Sequence, residues 1–281
     1  MKRTTITLAI FLLHTAAFTF HASAQYLNTP TAIWPNGLPG GGEQKELVWQ
    51  ENNQDGNRMT EVTDPTLEAF VPDASRSNGK SVIVCPGGGY RMLAYQKEGQ
   101  EVAQWLSNLG YNAYVLAYRV PNNRLGALQD IQRAIRIVRS KGATQVGVIG
   151  FSAGASLSCR AATRWNAPAY EPNSKDYIDT ISCRPDFGIL IYPAYLDEGE
   201  NHTLTPELTV TKDTPPLFVF GTEDDVHYSG PSSVTILDAM QRANAPIEVH
   251  YLTRGGHGYG MRYGAGLIWP SLAEQWLKGL K

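Results

Sequence analysis

The run from Gln145 to Leu157, QVGVIGFSAGASL, decides how this chain is read. Gln145–Ile149 is a short apolar stretch of strand length, and a helix of small residues, carrying Leu157 and Ala161, begins near Ser152. Between them stands Gly150-Phe151-Ser152-Ala153-Gly154, a G-x-S-x-G pattern. A serine on so sharp a strand-to-helix turn is forced into strained backbone. The residues two before and two after it must then lack side chains. The helix that follows aims its unpaired N–H groups at the turn. Ser152 is therefore the candidate nucleophile. A plain glycine-rich turn is the alternative, and the strand-turn-helix setting argues against it.

Outward from this point, strands and helices alternate. Ser81–Cys85 is a continuous apolar run, as expected of a strand covered on both faces. Val102, Trp105, Leu106 and Leu109 recur at helical spacing, Asn112–Ala117 reads as strand, and Leu128, Ile131, Ala134, Ile135 and Val138 mark a second amphipathic helix. Further strands are expected at Phe187–Ile191, Leu217–Phe220 and Ile247–Leu252, with helices at Ser232–Arg242 and Pro270–Leu280. This order predicts a three-layer α/β/α sandwich on a mostly parallel sheet, with loops at the carboxyl ends of the strands carrying the chemistry. Ahead of it, Thr29–Gly42 reads as an extended arm, and Leu47–Gln50 and Thr66–Val71 as an antiparallel edge.

Two more loops follow predicted strands. Pro86-Gly87-Gly88-Gly89-Tyr90 comes directly after Cys85, and its glycines let backbone N–H groups approach a ligand. A carbonyl oxygen gaining negative charge needs such donors, and Gly88 and Gly89, with Ala153, are assigned to this oxyanion role. A phosphate cradle is the rival use, but no Lys-Ser/Thr follows and the G-x-G-x-x-G pattern is absent. His257 lies in Gly255–Gly260 (GGHGYG), between the last strand and the last helix, and is the candidate base. His250 alternates with apolar neighbours in a strand, while His202 and His227 stand in polar loops. The acid should follow strand Leu217–Phe220. Counting from Pro216 favours Asp225, counting three on from Gly221 favours Asp224, and Asp225 is taken. It would hold the imidazole's tautomer and stabilise the imidazolium. A metal site at Asp224, Asp225 and His227 lacks a recognised ligand spacing, so no metal or other cofactor is expected.

The 281 residues are 42% hydrophobic and 18% charged, which suits a chain that buries a sizeable core. Residues 1–24 read as a cleavable signal peptide: Lys2 and Arg3, an apolar run Ile6–Phe20, then Ala22-Ser23-Ala24, with cleavage before Gln25. A single domain is expected over 25–281, secreted or periplasmic and free of the membrane after cleavage. With its basic leader removed, the net charge of −2 becomes about −4, which argues against nucleic acid as a partner. Cys85 reads as a buried small hydrophobe, and export makes a Cys159–Cys183 bridge conceivable.

From Ser81 to its end the chain resembles the acetylxylan-esterase and feruloyl-esterase-like branch of the α/β-hydrolases, near the dienelactone hydrolases. The resemblance rests on Cys85–Tyr90 (CPGGGY), Lys97–Gly99 (KEG), Tyr118–Pro121 (YRVP), Asp130–Arg139 (DIQRAIRIVR), Gly150–Gly154 (GFSAG), Thr222–Asp225 (TEDD) and Gly255–Gly260. It implies an α/β-hydrolase fold and hydrolysis of short acyl esters, often acetyl groups on plant cell-wall polysaccharides. In relatives with a TEDD-type run the second Asp is the acid, which favours Asp225. Val226 stands where relatives usually carry Pro, and the segment before Gln145 is shorter than usual. Tyr90, Tyr195 and Tyr259 follow strand ends and are expected to line a shallow pocket for a sugar face. Two other readings stay open: a serine peptidase of the prolyl-oligopeptidase type, lacking its propeller, and an inactive hydrolase scaffold that binds carbohydrate.

Overall fold

Five consecutive buried residues, Ser81–Cys85, form the strand around which the rest is arranged. The computed structural model describes residues 29–52, 56–171, 176–226 and 228–280. The expected signal peptide therefore lies outside the described residues, as does His227. In chain order the strands are β1 (Thr31–Ala32), β2 (Val48–Gln50), β3 (Arg58–Thr60), β4 (Thr66–Phe70), β5 (Ser81–Cys85), β6 (Asn112–Ala117), β7 (Val146–Phe151), β8 (Phe187–Ile191), β9 (Asp197–Glu198), β10 (Thr203–Leu204), β11 (Leu217–Thr222) and β12 (Ile247–Leu252). The helices are α1 (Glu101–Asn108), α2 (Arg124–Ser140), α3 (Ala153–Thr163), α4 (Ser229–Arg242) and α5 (Trp269–Gly279).

Eight strands form one sheet in the order β1-β4-β6-β5-β7-β8-β11-β12. β1 and β4 run antiparallel to their neighbours; from β6 to β12 every pairing is parallel. β5, β7, β8 and β11 are buried along their whole length, because parallel crossovers cover both sheet faces with helices. On one face α1 and α5 meet through Trp105 and Trp269, whose rings are 5.2 Å apart. On the other face α2 packs on α3, and Ala155 and Cys159 of α3 share a buried cluster with Ile236 and Met240 of α4. The expected three layers are present.

The strand order reverses at β5 and β7, which are neighbours although β6 lies between them in the chain. In open α/β sheets such a reversal opens a crevice at the carboxyl ends. Cys85 pairs with Gly150 there, so the loops starting at Pro86 and Ser152 leave the sheet side by side.

The start of the chain departs from expectation. Leu47–Gln50 does not join the main sheet: β2 pairs with β3 in a separate two-stranded sheet. The edge is made by Thr31–Ala32, inside the predicted extended arm, while the rest of that arm bends through turn bonds from Gly37 N–H to Trp34 C=O and Gly41 N–H to Leu38 C=O. A two-residue strand leaves no periodicity to read. Cys159 and Cys183 do not form the conceivable bridge; Cys85, Cys159 and Cys183 are all free and buried. Burial pushes the Cys85 and Cys159 thiols up to about 12.

Two of the quoted motifs hold the fold rather than the site. Arg119 donates from Nε and Nη2 to the Asp130 carboxylate, which also accepts Arg119 N–H and Trp34 Nε1–H. Arg133 reaches Asp176 and Asp179, each at 2.7 Å. These ion pairs fasten the β6–α2 junction, the first turns of the chain and the segment after α3 to one another.

Candidate active site

Ser152 sits between β7 and α3 with φ +52° and ψ −116°, a conformation costing an L-residue on the order of 1–3 kcal/mol. Packing over-determines it. Ser152 N–H donates to Ile191 C=O of the neighbouring strand, and Ser152 C=O accepts from Ala155, Ser156 and Ala194 N–H. A methyl on Gly150 would come within 2.1 Å of Gly154 O, and one on Gly154 within 2.0 Å of Cys85 O. Only hydrogens fit at those two positions, which is the steric reason for the G-x-S-x-G spacing.

The side chain of Ser152 meets His257: Nε2 lies 2.8 Å from Oγ. On the other side of the ring, Nδ1 lies 2.5 Å from Asp225 Oδ2. Asp225 is 7% exposed and is further held by Ser229 N–H at 3.1 Å. Residues 152, 225 and 257 thus converge from the ends of β7, β11 and β12. Asp224 turns the other way, taking Gly255 N–H and Gly256 N–H on its carboxylate, and these bonds hold its carboxyl below the usual range. The two carboxylates of the rival metal reading, Asp224 and Asp225, are therefore committed to different partners. Among the described residues no cluster of three or more His, Cys, Asp or Glu side chains could hold a metal ion.

The loop after β5 lies against the nucleophile turn, where a methyl on Gly87 would come within 3.0 Å of Ser152 Cβ. Pro86 C=O accepts Tyr118 O–H, and Gly87 C=O accepts Ala94 N–H. Among the described residues no turn, loop or cap hydrogen bond is donated by the backbone N–H of Gly88, Gly89 or Ala153.

The three tyrosines separate. Tyr195 is half-buried, with its hydroxyl 3.7 Å from where a Gly89 side chain would begin. Tyr90 is 3% exposed and donates its hydroxyl to Ser156 Oγ. Tyr259 is fully buried, its ring 4.4 Å from that of Tyr192. Tyr90 and Tyr259 therefore do not line an open pocket: each turns from its strand-end loop into the core. His202 pairs with Asp197 and His250 with Glu248.

Sequence reasoning missed Tyr192, Tyr228 and Glu98. The Tyr192 and Tyr228 rings flank His257 at 5.0 and 5.1 Å, and Tyr228 also meets Tyr195 at 6.0 Å. Tyr192 directly follows β8, the same strand-end signal that drew attention to Tyr195. Lys97 and Glu98 are buried. Desolvation lowers the Lys97 ammonium below its ordinary value.

No protein-family model matches the chain. Over 246 residues it is 30% identical to endo-1,4-beta-xylanase B of Butyrivibrio fibrisolvens, covering 76% of this chain and 37% of that protein. Over 224 residues it is 26% identical to an acetylxylan esterase of Xylanibacter ruminicola, covering 69% of this chain and 43% of that protein. The chain thus spans less than half the length of these curated relatives. The solved acetyl ester-xyloside bifunctional hydrolase of Caldicellulosiruptor lactoaceticus is 28% identical, with a TM-score of 0.74 over 90% of this chain and 96% of that one. The strand order, the Ser152 turn and these likenesses agree: the chain has the α/β-hydrolase fold and is similar to acetylxylan-esterase-like hydrolases.

Proposed function

We propose that this chain is a serine carboxylic-ester hydrolase that removes short acyl groups, acetyl foremost, from plant cell-wall polysaccharide or its oligosaccharides. The observation that carries this is the continuous hydrogen-bonded path from Ser152 Oγ through His257 to Asp225. His257 Nε2 takes the hydroxyl proton as Ser152 attacks the ester carbonyl. Asp225 keeps the second ring proton on Nδ1 and balances the positive imidazolium. The oxyanion moves into the reach of Gly88, Gly89 and Ala153 N–H, where each donor is worth on the order of 10²–10³ in rate. His257 then gives its proton to the departing sugar oxygen, leaving an acyl-Ser152. A water activated by the same imidazole releases the acid. Every proton passes between groups of this chain, the substrate and water.

The reading of a xylan-type substrate draws on the names of the relatives, a xylanase, an acetylxylan esterase and an acetyl ester-xyloside hydrolase. Tyr195 and Tyr228, meeting edge to face beside His257, supply aromatic faces for a sugar ring. Among the described residues no helix is long and apolar enough to cross a membrane. Export through the leader at 1–24, giving one mature domain over 25–281, completes the proposal. The test is acetate release from acetylated xylan, pectin and mannan, with feruloyl esters in parallel and Ser152→Ala as control. Acetate from xylan that disappears in Ser152→Ala is expected. Turnover that survives in Ser152→Ala overturns the assignment, and ferulate release without acetate release overturns the acyl group.

A further inference from the structure

The KEG run at 97–99 touches two of the proposed catalytic loops, and its burial asks for a reason. Lys97 is 4% and Glu98 3% exposed, with Nζ and Oε1 3.9 Å apart. For stability alone, apolar residues of the same size would serve as well as a buried charge pair. The pair's partners show what it holds. Glu98 Oε2 accepts Gly87 N–H at 2.8 Å, in the loop bearing the candidate oxyanion donors Gly88 and Gly89. Glu98 Oε1 accepts Tyr192 O–H at 2.9 Å, and that hydroxyl accepts Gly260 N–H at 3.0 Å. Lys97 Nζ donates to Gly258 C=O at 2.6 Å, one residue after His257.

Consecutive residues of an ordinary helix point about 100° apart. Here Tyr95–Gln100 is a π-helical turn, and Lys97 and Glu98 both turn inward. Gly99 completes the run: a methyl there would lie 2.8 Å from Val115 Cγ1 and 3.1 Å from Pro86 Cγ. Lys97 and Glu98 thus join the loop at 86–90 to the loop at 255–260, and Gly99 lets their turn close on β6 and Pro86.

We propose that Lys97 and Glu98 are positioning residues that fix the spacing between the oxyanion donors and the His257 imidazole, and that they govern acyl transfer rather than ester binding. The inference rests on the esterase reading above. A loop of N–H donors displaced by even 1 Å still admits the flat ester but no longer meets the oxyanion. Losses should therefore fall on kcat and spare KM.

The full chain is assayed with p-nitrophenyl acetate, with active sites counted by titration with a p-nitrophenyl phosphonate and melting followed in parallel. Glu98→Gln keeps the shape and one acceptor for Gly87, so kcat per titrated site should fall about 10-fold. Glu98→Ala should fall about 100-fold, comparable to losing an oxyanion donor. Lys97→Met should fall about 10-fold, and KM should stay within about 3-fold in all three. Because rates are taken per titrated site, a variant that merely folds poorly keeps its kcat. Should Glu98→Ala fail to fold, the shape-preserving Glu98→Gln and Lys97→Met decide. Wild-type kcat per site in Glu98→Gln and Lys97→Met, with Ser152→Ala dead, overturns the positioning role alone. Activity retained by Ser152→Ala overturns both readings.

Discussion

Asp224 and Asp225 are adjacent in the chain and face opposite duties: Asp225 Oδ2 lies 2.5 Å from His257 Nδ1, while Asp224 accepts the N–H groups of Gly255 and Gly256. One carboxylate addresses the imidazole and the other the backbone that carries it. The Asp225→Asn variant should therefore lose about 10⁴ in kcat, as expected when the imidazole is held in the wrong tautomer. The Asp224→Asn variant keeps an acceptor oxygen and should lose no more than about 10-fold. Steady-state rates of the two variants side by side are the check, and a larger loss at 224 sinks the assignment.

The same pair gives a pH dependence. Hydrogen bonds from Gly256 and Gly255 hold the Asp224 carboxyl below its ordinary value of 3.8. A carboxyl depressed in the native state stabilises it above the unfolded pKa, near 3.9, and that contribution fades as pH falls through the lower native value. Asp224→Ala should therefore melt below the parent chain at pH 7, and the gap should narrow towards pH 3. Melting curves at both pH values test this, and a gap of equal size at both contradicts it.

Arg119 and Asp130 make a separate prediction about stability. Asp130→Ala leaves the Arg119 guanidinium buried without its carboxylate and should cost about 3–5 kcal/mol. The double variant Arg119→Met/Asp130→Leu should recover most of that loss, because it removes both charges together. Urea unfolding of the two variants distinguishes this from a surface pair, where each change would cost under about 1 kcal/mol.

The core of the fold was legible because buried parallel strands write themselves as unbroken apolar runs: Ser81–Cys85 and Phe187–Ile191 coincide with observed strands. The start was not. Thr31–Ala32 is too short to carry a pattern, and Val48–Gln50 has exposed residues throughout, so nothing in it signals which sheet it joins. Within the candidate site, the residues on glycine-rich turns were visible because such turns constrain the backbone locally. Tyr192 and Tyr228 stand 65 and 29 positions from His257, and Glu98 stands 94 from Tyr192, and a side chain's long-range partner leaves no local mark. Tyr90 and Tyr259 misled for the mirror reason. Position after a strand end tells where a residue sits, not whether its ring turns outward or into the core.

Among the described residues β12 is the outermost strand on its side of the sheet, paired only with β11, and every one of its residues keeps some contact with solvent. Ser152 and the proposed oxyanion donors, by contrast, are rooted in the fully enclosed β5 and β7. The machinery is thus split between a rigid interior and a rim that frays first on warming. Heat should silence this molecule by lifting its histidine away while most of the sheet is still intact, so that lost turnover precedes lost ellipticity and cooling restores both.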